Sequence, residues 1–429
     1  MPNTNSDSNR RKLLYIVTWN IGGLDYMVAV LWRLRTKYPN VDITVFFAEP
    51  HYDHVLRGGR FFLELFDSLG IEYKDFRDLL HPFAKFLLKL VNPLLVLSPA
   101  DYTTPMWIQR LQYLFNRFIL SERRFAEFLN TYEPDCIIID DRKYYLRPFC
   151  GYKELEAYYD AHPTLPIIQI PHAMKSEYYG DLFPNERLCE IWLPLVAEEM
   201  SYLAISEFEH IHQTFVPSLD EDWLNLVKSS ELGVQLPSDK ITCVVLLEPF
   251  ERSRDSDYAK SLKVNPKRFS VDQMQGYLEC LVEITDKFDK ELYFIIKPHP
   301  KQDMNVLIKT LKDVRFRNYR IIWETNYHLL KVDLCISMLT TAVYPLILAQ
   351  IPTIMIVTHL IKIMPLPQLY TNLTYACTTS DEIASALDEI LTKGHRDIER
   401  DYQHIRTYLP DHALDTVMDR LQLHLHLDN

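Results

Sequence analysis

Glycine is scarce in this chain, with ten in 429 residues against 25 prolines. That excludes collagen-like and glycine-rich low-complexity sequence and leaves no G-x-G-x-x-G dinucleotide fingerprint. A Walker loop, a G-x-S-x-G elbow and an H-E-x-x-H pair are also missing. The seven cysteines are scattered, at Cys136, Cys150, Cys189, Cys243, Cys280, Cys335 and Cys377, without one C-x-x-C. Their odd number and apolar neighbours predict reduced, mostly buried thiols and a reducing compartment, here cytoplasmic. Positive charge is short too: 46 Lys and Arg stand against 58 Asp and Glu, a net charge of −12. An acidic chain binds polyanions poorly, so no nucleic-acid partner is expected, although a local basic pocket for one phosphorylated ligand is compatible with it. No apolar run reaches the length of a spanning helix.

What is present is a repeated grammar. The polar start, 1–12, reads as a disordered tail without a targeting pattern. KLLYIVTW then makes a first strand, Asn20-Ile21-Gly22-Gly23 a turn, 25–37 a helix and 41–48 a second strand. This is the βαβ pattern of a parallel sheet. Residues 60–130 read as several helices, 135–140 and 166–170 as strands, and 196–228 as a further helix pair. The polar, Gly- and Pro-punctuated stretch 229–239 reads as a linker. After it the alternation restarts: strands at 241–247, 292–296, 320–323, 334–336 and 353–357, with helices at 271–288, 342–349 and 380–391. No internal repeat of 20–50 residues is visible.

The expected fold is therefore α/β, with two facing Rossmann-like doubly wound domains. Residues 13–232 form the N-terminal domain and 240–394 the C-terminal domain. Helices over 395–429 are expected to pack back on the N-terminal domain. In such sheets ligands bind beyond the carboxyl ends of the strands, so the strand-end residues are the candidates.

Lys297-Pro298-His299-Pro300 follows the apolar strand YFII. Two prolines stiffen the turn around the histidine. A rigid imidazole there suits a hydrogen bond to a phosphate oxygen, with Lys297 adding a point charge. The competing role is a strand-ending turn whose histidine packs or caps. Ser337, Thr340 and Thr341 lie between another strand and a helix. Hydroxyls and free N–H groups at a helix start attract anions, although threonine also caps helices routinely.

A strand-end Lys-Pro-His-Pro followed by a Ser/Thr cluster resembles the nucleotide-sugar half of bacterial glycosyltransferases of GT-B architecture. It is most similar to the sialyltransferase-like and polysialyltransferase-like families that use CMP-activated sugars. The resemblance covers about 240–360. It implies that His299 contacts the donor phosphate and stabilises the departing nucleotide. Pro300 would shape the turn, and Ser337, Thr340 and Thr341 would supply hydroxyls. Those families also carry an acidic pair followed by glycine, one carboxylate being the base. Here Asp140-Asp141 ends the strand CIII, with Arg142 in the glycine's place. A base beside an acceptor hydroxyl needs a carboxylate or an imidazole, and adjacent carboxylates raise one another's pKa. Asp141 is favoured, with Asp140 and His172 as rivals. His172 lies in Ile-Pro-His-Ala, reminiscent of the His-Gly turns of glycerophosphate- and capsule-polymer transferases. Asn20, Gly22 and Gly23 are expected to face the acceptor.

The resemblance implies an inverting glycosyltransferase that moves a sugar from a nucleotide-activated donor to a glycan or glycolipid acceptor. Cofactor and metal are both expected to be none: no D-x-D stands at a strand end, and His424 and His426 are poorly spaced as ligands. Three alternatives remain open: a polymer-phosphate transferase, a sugar epimerase on the same scaffold, and a non-catalytic carbohydrate- or nucleotide-binding partner. Residues 83–124 combine FAKFLLKLVNPLLVL with Trp107 and, from Lys85 to Arg124, six basic against two acidic residues. Peripheral contact with an inner membrane face is expected there, the alternative being helices packed on the N-terminal sheet.

Overall fold

The computed structural model describes residues 10–17, 21–48, 60–76, 78–79, 86, 122–140, 152–170, 190–193, 211–231, 236–237, 239–247, 250–251, 269–270, 278–279, 281–283, 286, 292–299, 302, 304–322, 326–338, 340–357 and 368–427. The chain divides into two compact units, Met1–Asp220 with Leu409–Asn429, and Glu221–Tyr408.

The first unit carries β1 (Lys12–Val17), α1 (Ile21–Lys37), β2 (Asp42–Phe47), α2 (Arg60–Leu69), β3 (Glu72–Asp75), α3 (Glu122–Tyr132), β4 (Cys136–Asp140), α4 (Tyr152–Ala161), β5 (Ile167–Ile170), β6 (Glu190–Leu193) and β7 (Ile211–Gln213). Its strands form one parallel sheet in the order β3-β2-β1-β4-β5-β6-β7. β1, β2 and β4 are buried almost throughout, as parallel strands covered on both faces must be. That is why they read as unbroken apolar runs. One face packs Leu14, Ile16, Phe46, Ile137, Ile139 and Ile167 against Phe125 and Leu129 of α3 and Leu155 and Tyr158 of α4. On α1 the buried Leu24, Met27, Val28, Leu31 and Leu34 keep the spacing of one helical face.

The structure corrects several sequence expectations in this unit. Ile21, Gly22 and Gly23 belong to the first turn of α1 and not to a loop. Residues 72–75, expected as helix, form β3, a short polar strand at the sheet edge. Of 196–228, expected as a helix pair, 196–210 lie outside the described residues, and 211–228 hold β7, a 3₁₀ turn (Pro217–Leu219) and most of the next helix. Of 83–124, expected to touch a membrane, only Phe86 and 122–124 are described; the rest lies outside the described residues. Among the described residues no helix is long and apolar enough to cross a membrane.

The second unit carries α5 (Glu221–Ser229), β8 (Ile241–Leu246), β9 (Phe250–Glu251), β10 (Phe269–Ser270), β11 (Leu292–Lys297), α6 (Met304–Asp313), β12 (Tyr319–Ile321), β13 (Leu334–Ser337), α7 (Tyr344–Leu348), β14 (Thr353–Ile356), α8 (Gln368–Thr371), β15 (Ala376–Cys377), α9 (Ser380–Lys393) and α10 (Ile398–Arg406). Its main sheet is parallel in the order β12-β11-β8-β13-β14-β15, and β9 pairs with β10 separately. Phe294, Ile296, Leu307, Ile336, Ile354 and Leu387 lie in its core. α9 opens on a capping box in which Thr379 and Glu382 satisfy each other's backbone N–H groups. Cys136, Cys243, Cys335 and Cys377 are free and buried, and burial pushes the Cys377 thiol up to about 12.

The last helix, α11 (Ala413–His424), returns to the first unit. Its buried Leu414, Val417, Met418 and Leu421 form an apolar stripe, and Tyr38 donates to Gln422 Oε1 at 3.0 Å. Charge pins the other side. Arg420 Nη1 donates to Glu190 Oε1 at 2.9 Å, His424 Nε2 lies 3.1 Å from the same oxygen, and His212 Nε2 lies 3.5 Å from it. Trp192 Nε1 donates to Glu190 Oε2 at 2.6 Å. Burial alone would raise the Glu190 pKa. The close contact and charge of His424, the hydrogen bond from Trp192 and the charge of Arg420 outweigh it and hold the group at about 2.

Candidate functional site

Both main sheets share one logic. Leaving aside the small β9–β10 pair, each runs third, second, first, fourth, fifth, sixth strand in its own chain order, and the first unit's sheet adds a seventh at the end. The order reverses between the first and fourth strands, where the flanking crossovers part and leave a crevice at the carboxyl edge. In the first unit that point lies between β1 and β4. In the second it lies between β8 and β13.

At the second unit's switch point the register aligns Lys297 of β11, Leu246 of β8 and Ser337 of β13 in one row. The Leu247 N–H donates to the Lys297 carbonyl at 3.1 Å and the Met338 N–H to the Leu246 carbonyl at 3.1 Å, so the pairing holds to the strand ends. With adjacent strands about 4.8 Å apart, the outer two members of the row lie roughly 10 Å from each other. Pro298 is buried and His299 half-buried. The Gln302 N–H donates to the His299 carbonyl at 2.9 Å, closing the turn that leads towards α6.

The three hydroxyl residues do not behave alike. Ser337 is fully buried, and its Oγ donates to the Met338 carbonyl at 2.7 Å. Its proton is thereby committed to the turn. Thr340 is half-buried, and its Oγ1 accepts from the Ala342 N–H at 3.4 Å. The Val343 N–H donates to its carbonyl at 3.2 Å. Thr341 opens a 3₁₀ turn, Thr341–Val343, and the five-residue α7 follows with Pro345 near its start. The single helix expected over 342–349 is thus a 3₁₀ turn joined to a short α-helix.

In the first unit Asp140 is the last residue of β4 and 2% exposed. It meets α1 at Gly23. A Cβ on residue 23 would lie 2.3 Å from Asp140 Oδ2 and 2.8 Å from Asp140 Cβ. Real side chains do not approach so closely, so only glycine lets the first turn of α1 sit against this carboxylate. The sequence suggests that Gly23 admits a ligand; in the structure it admits Asp140. Gly22 lies beside it in the helix backbone. Asp141, His172, Asn20 and Pro300 lie outside the described residues.

Sequence reasoning passes over Tyr15. It sits in the middle of β1, fully buried, opposite Ile138 of β4. Alternation along the strands puts it on the same sheet face as Asp140. Its hydroxyl has no hydrogen-bond partner. Burial, then the charges of Asp140 and Asp25, pushes its pKa well above the ordinary tyrosine value. The apolar context KLLYIV gives no signal that one member of the strand carries a polar group beside a carboxylate. Among the described residues no group of three or more His, Cys, Asp or Glu is arranged to hold a metal ion.

By sequence, no family model and no curated protein matches the chain. Solved structures do match in fold. A UDP-N-acetylglucosamine 2-epimerase is 11% identical with TM-score 0.55, the alignment covering 98% of this chain and 97% of that one. The UDP-GlcNAc 2-epimerase from Neisseria meningitidis, solved bound to UDP-GlcNAc, is 10% identical with TM-score 0.51, over 96% of this chain and all of that one. The wall teichoic acid polymerase TagF, soaked with CDPG, is 11% identical with TM-score 0.50, over 97% and 89% of the two chains. The chain thus has the fold class expected from its sequence: two parallel-sheet, Rossmann-like α/β units of the GT-B kind.

Proposed function

We propose that the chain is an enzyme acting on a nucleotide-activated sugar, and in its sharper form an inverting glycosyltransferase. The observation that carries this reading is the row of Lys297, Leu246 and Ser337 at the second unit's switch point. It sets the Lys-Pro-His-Pro turn and the Thr340–Thr341 turn on the two strands flanking β8. Lys297 and His299 then approach the donor phosphate from one side and Thr340 and Thr341 from the other. Ser337 shapes the turn that presents them. Charge gathering on the departing nucleotide is stabilised by these fixed donors, the larger catalytic contribution in sites of this kind. A carboxylate of the first unit removes the acceptor proton. Asp140 and Asp141 are the candidates, with His172 as rival. The acceptor is a glycan or glycolipid, and a CMP-sugar donor follows the resemblance of the Lys-Pro-His-Pro and Ser/Thr motifs.

A thermal-shift panel of CMP-N-acetylneuraminate, UDP-N-acetylglucosamine and CDP-glycerol tests the reading. A nucleotide at one hundred times its dissociation constant stabilises by about 2.7 kcal/mol. A parent chain that none of the three stabilises would sink it.

The likeness to two 2-epimerases over nearly the whole chain supports a second reading. Inverting a carbon centre that bears hydrogen breaks its C–H bond. Solvent deuterium appearing in recovered UDP-N-acetylglucosamine would favour epimerisation. Release of nucleotide with transfer of an unexchanged sugar would favour the transferase.

A further inference from the structure

An unpartnered hydroxyl in a protein interior costs about 1–3 kcal/mol, and phenylalanine would fill the same space without it. Tyr15 carries such a hydroxyl, fully buried in β1. The groups around it are specific. Asp140 lies on the same face at the end of the adjoining strand, and Gly23 brings the first turn of α1 onto that carboxylate. Asp25, also on α1, acts on the Tyr15 hydroxyl with Asp140. From β5, the residue in register with Asp140 is the uncharged Ile170.

We propose that Tyr15 is a positioning residue for Asp140, its hydroxyl a donor held beneath the carboxylate and taken up when that carboxylate works on bound substrate. The proposal rests on the reading of Asp140 as the working base. A phenol that donates to an ionised carboxylate favours the charged form. Removing it therefore moves the carboxylate pKa upward and shrinks the fraction available as base at neutral pH.

The test compares Tyr15→Phe and Asp140→Asn in the full chain. Nucleotide release from CMP-N-acetylneuraminate, UDP-N-acetylglucosamine and CDP-glycerol is followed across pH, and melting is followed alongside. Tyr15→Phe is expected to melt at or above the parent temperature, since it deletes an unpaired group. It is expected to lower kcat about ten- to a hundredfold, the worth of a hydrogen bond to a charged group, with KM nearly unchanged. The acid limb of its pH profile should move upward. With tyrosine labelled at the ζ-carbon, the Tyr15 resonance should shift in Asp140→Asn, whichever donor is used.

Parental kcat and pH profile in Tyr15→Phe, with Asp140→Asn inactive, overturn the positioning role alone. Parental activity in Asp140→Asn removes the base assignment beneath it. Loss of kcat that merely tracks a lowered melting temperature makes Tyr15 structural, and an unmoved Tyr15 resonance removes the coupling.

Discussion

Exchanging Glu190 for glutamine tests how the last helix is held to the first unit. The side chain keeps its shape and loses its charge, leaving Arg420 facing a neutral amide. Glu190 titrates at about 2 in the fold against an ordinary 4.5. At 1.36 kcal/mol per unit, that difference is worth about 3 kcal/mol. The folded pKa is depressed, so the stabilisation is fully present above about 4.5 and is lost as pH falls through about 2. The side chain is only 12% exposed, so solvent screening removes little of it. Glu190→Gln should therefore destabilise the first unit by about 3 kcal/mol at pH 7 and by less than half as much at pH 3, the share carried by Arg420 and His424 appearing as weaker docking of α11. Hydrogen exchange over α11 reads this directly, since local opening reports local stability. The Arg420→Met variant should couple to it in a double-mutant cycle. Equal destabilisation at pH 7 and pH 3, or additive single variants, would refute the electrostatic account.

Further outcomes are expected from the sites. His299→Ala should fold and lose about 10²–10³ in turnover, the usual cost of one charge-stabilising donor; near-parental turnover removes the phosphate role. Gly23→Ala drives a Cβ into Asp140 and should cost about 1–3 kcal/mol in melts, with activity falling further; an unchanged melting temperature contradicts the contact. Within the Asp140–Asp141 pair, Asp140→Asn should keep nucleotide binding and lose transfer while Asp141→Asn and His172→Ala keep both, and loss of transfer in Asp141→Asn alone reverses the assignment. Vesicle flotation with anionic liposomes should retain the chain at low salt, with retention lost when Lys85, Lys89 and Arg110 all become Glu; no retention removes the membrane contact.

Legibility of the fold follows burial. Strands covered on both faces, such as KLLYIV, CIIID and ITCVVL, have no polar face to maintain, so their apolar runs announce them. β3, EYKD, sits at an edge with one neighbour and keeps a polar surface, so nothing apolar marks it. Gly22 and Gly23 mislead because a glycine pair ordinarily signals a turn. The need for Gly23 comes from Asp140, more than a hundred residues away in sequence, and no local pattern carries that. The hydroxyl cluster is visible as a cluster. Which oxygen turns inward, as Ser337 does, depends on where the backbone bends after β13. Tyr15 is hidden by the same apolar run that makes its strand easy to find.

The return of α11 has a consequence for how the protein comes to exist. A ribosome delivers β1 to β7 first, then the entire second unit, and only afterwards the helix whose Leu414, Val417, Met418 and Leu421 cover the first unit. At about 5–20 residues per second, roughly 10–40 s pass between the two deliveries. During that interval the nascent first unit shows an apolar surface that its own chain has not yet supplied. The second unit has no such wait and can close while the first is still incomplete. The N-terminal half is thus the later to mature, and a chaperone would be needed most over the surface that α11 will cover.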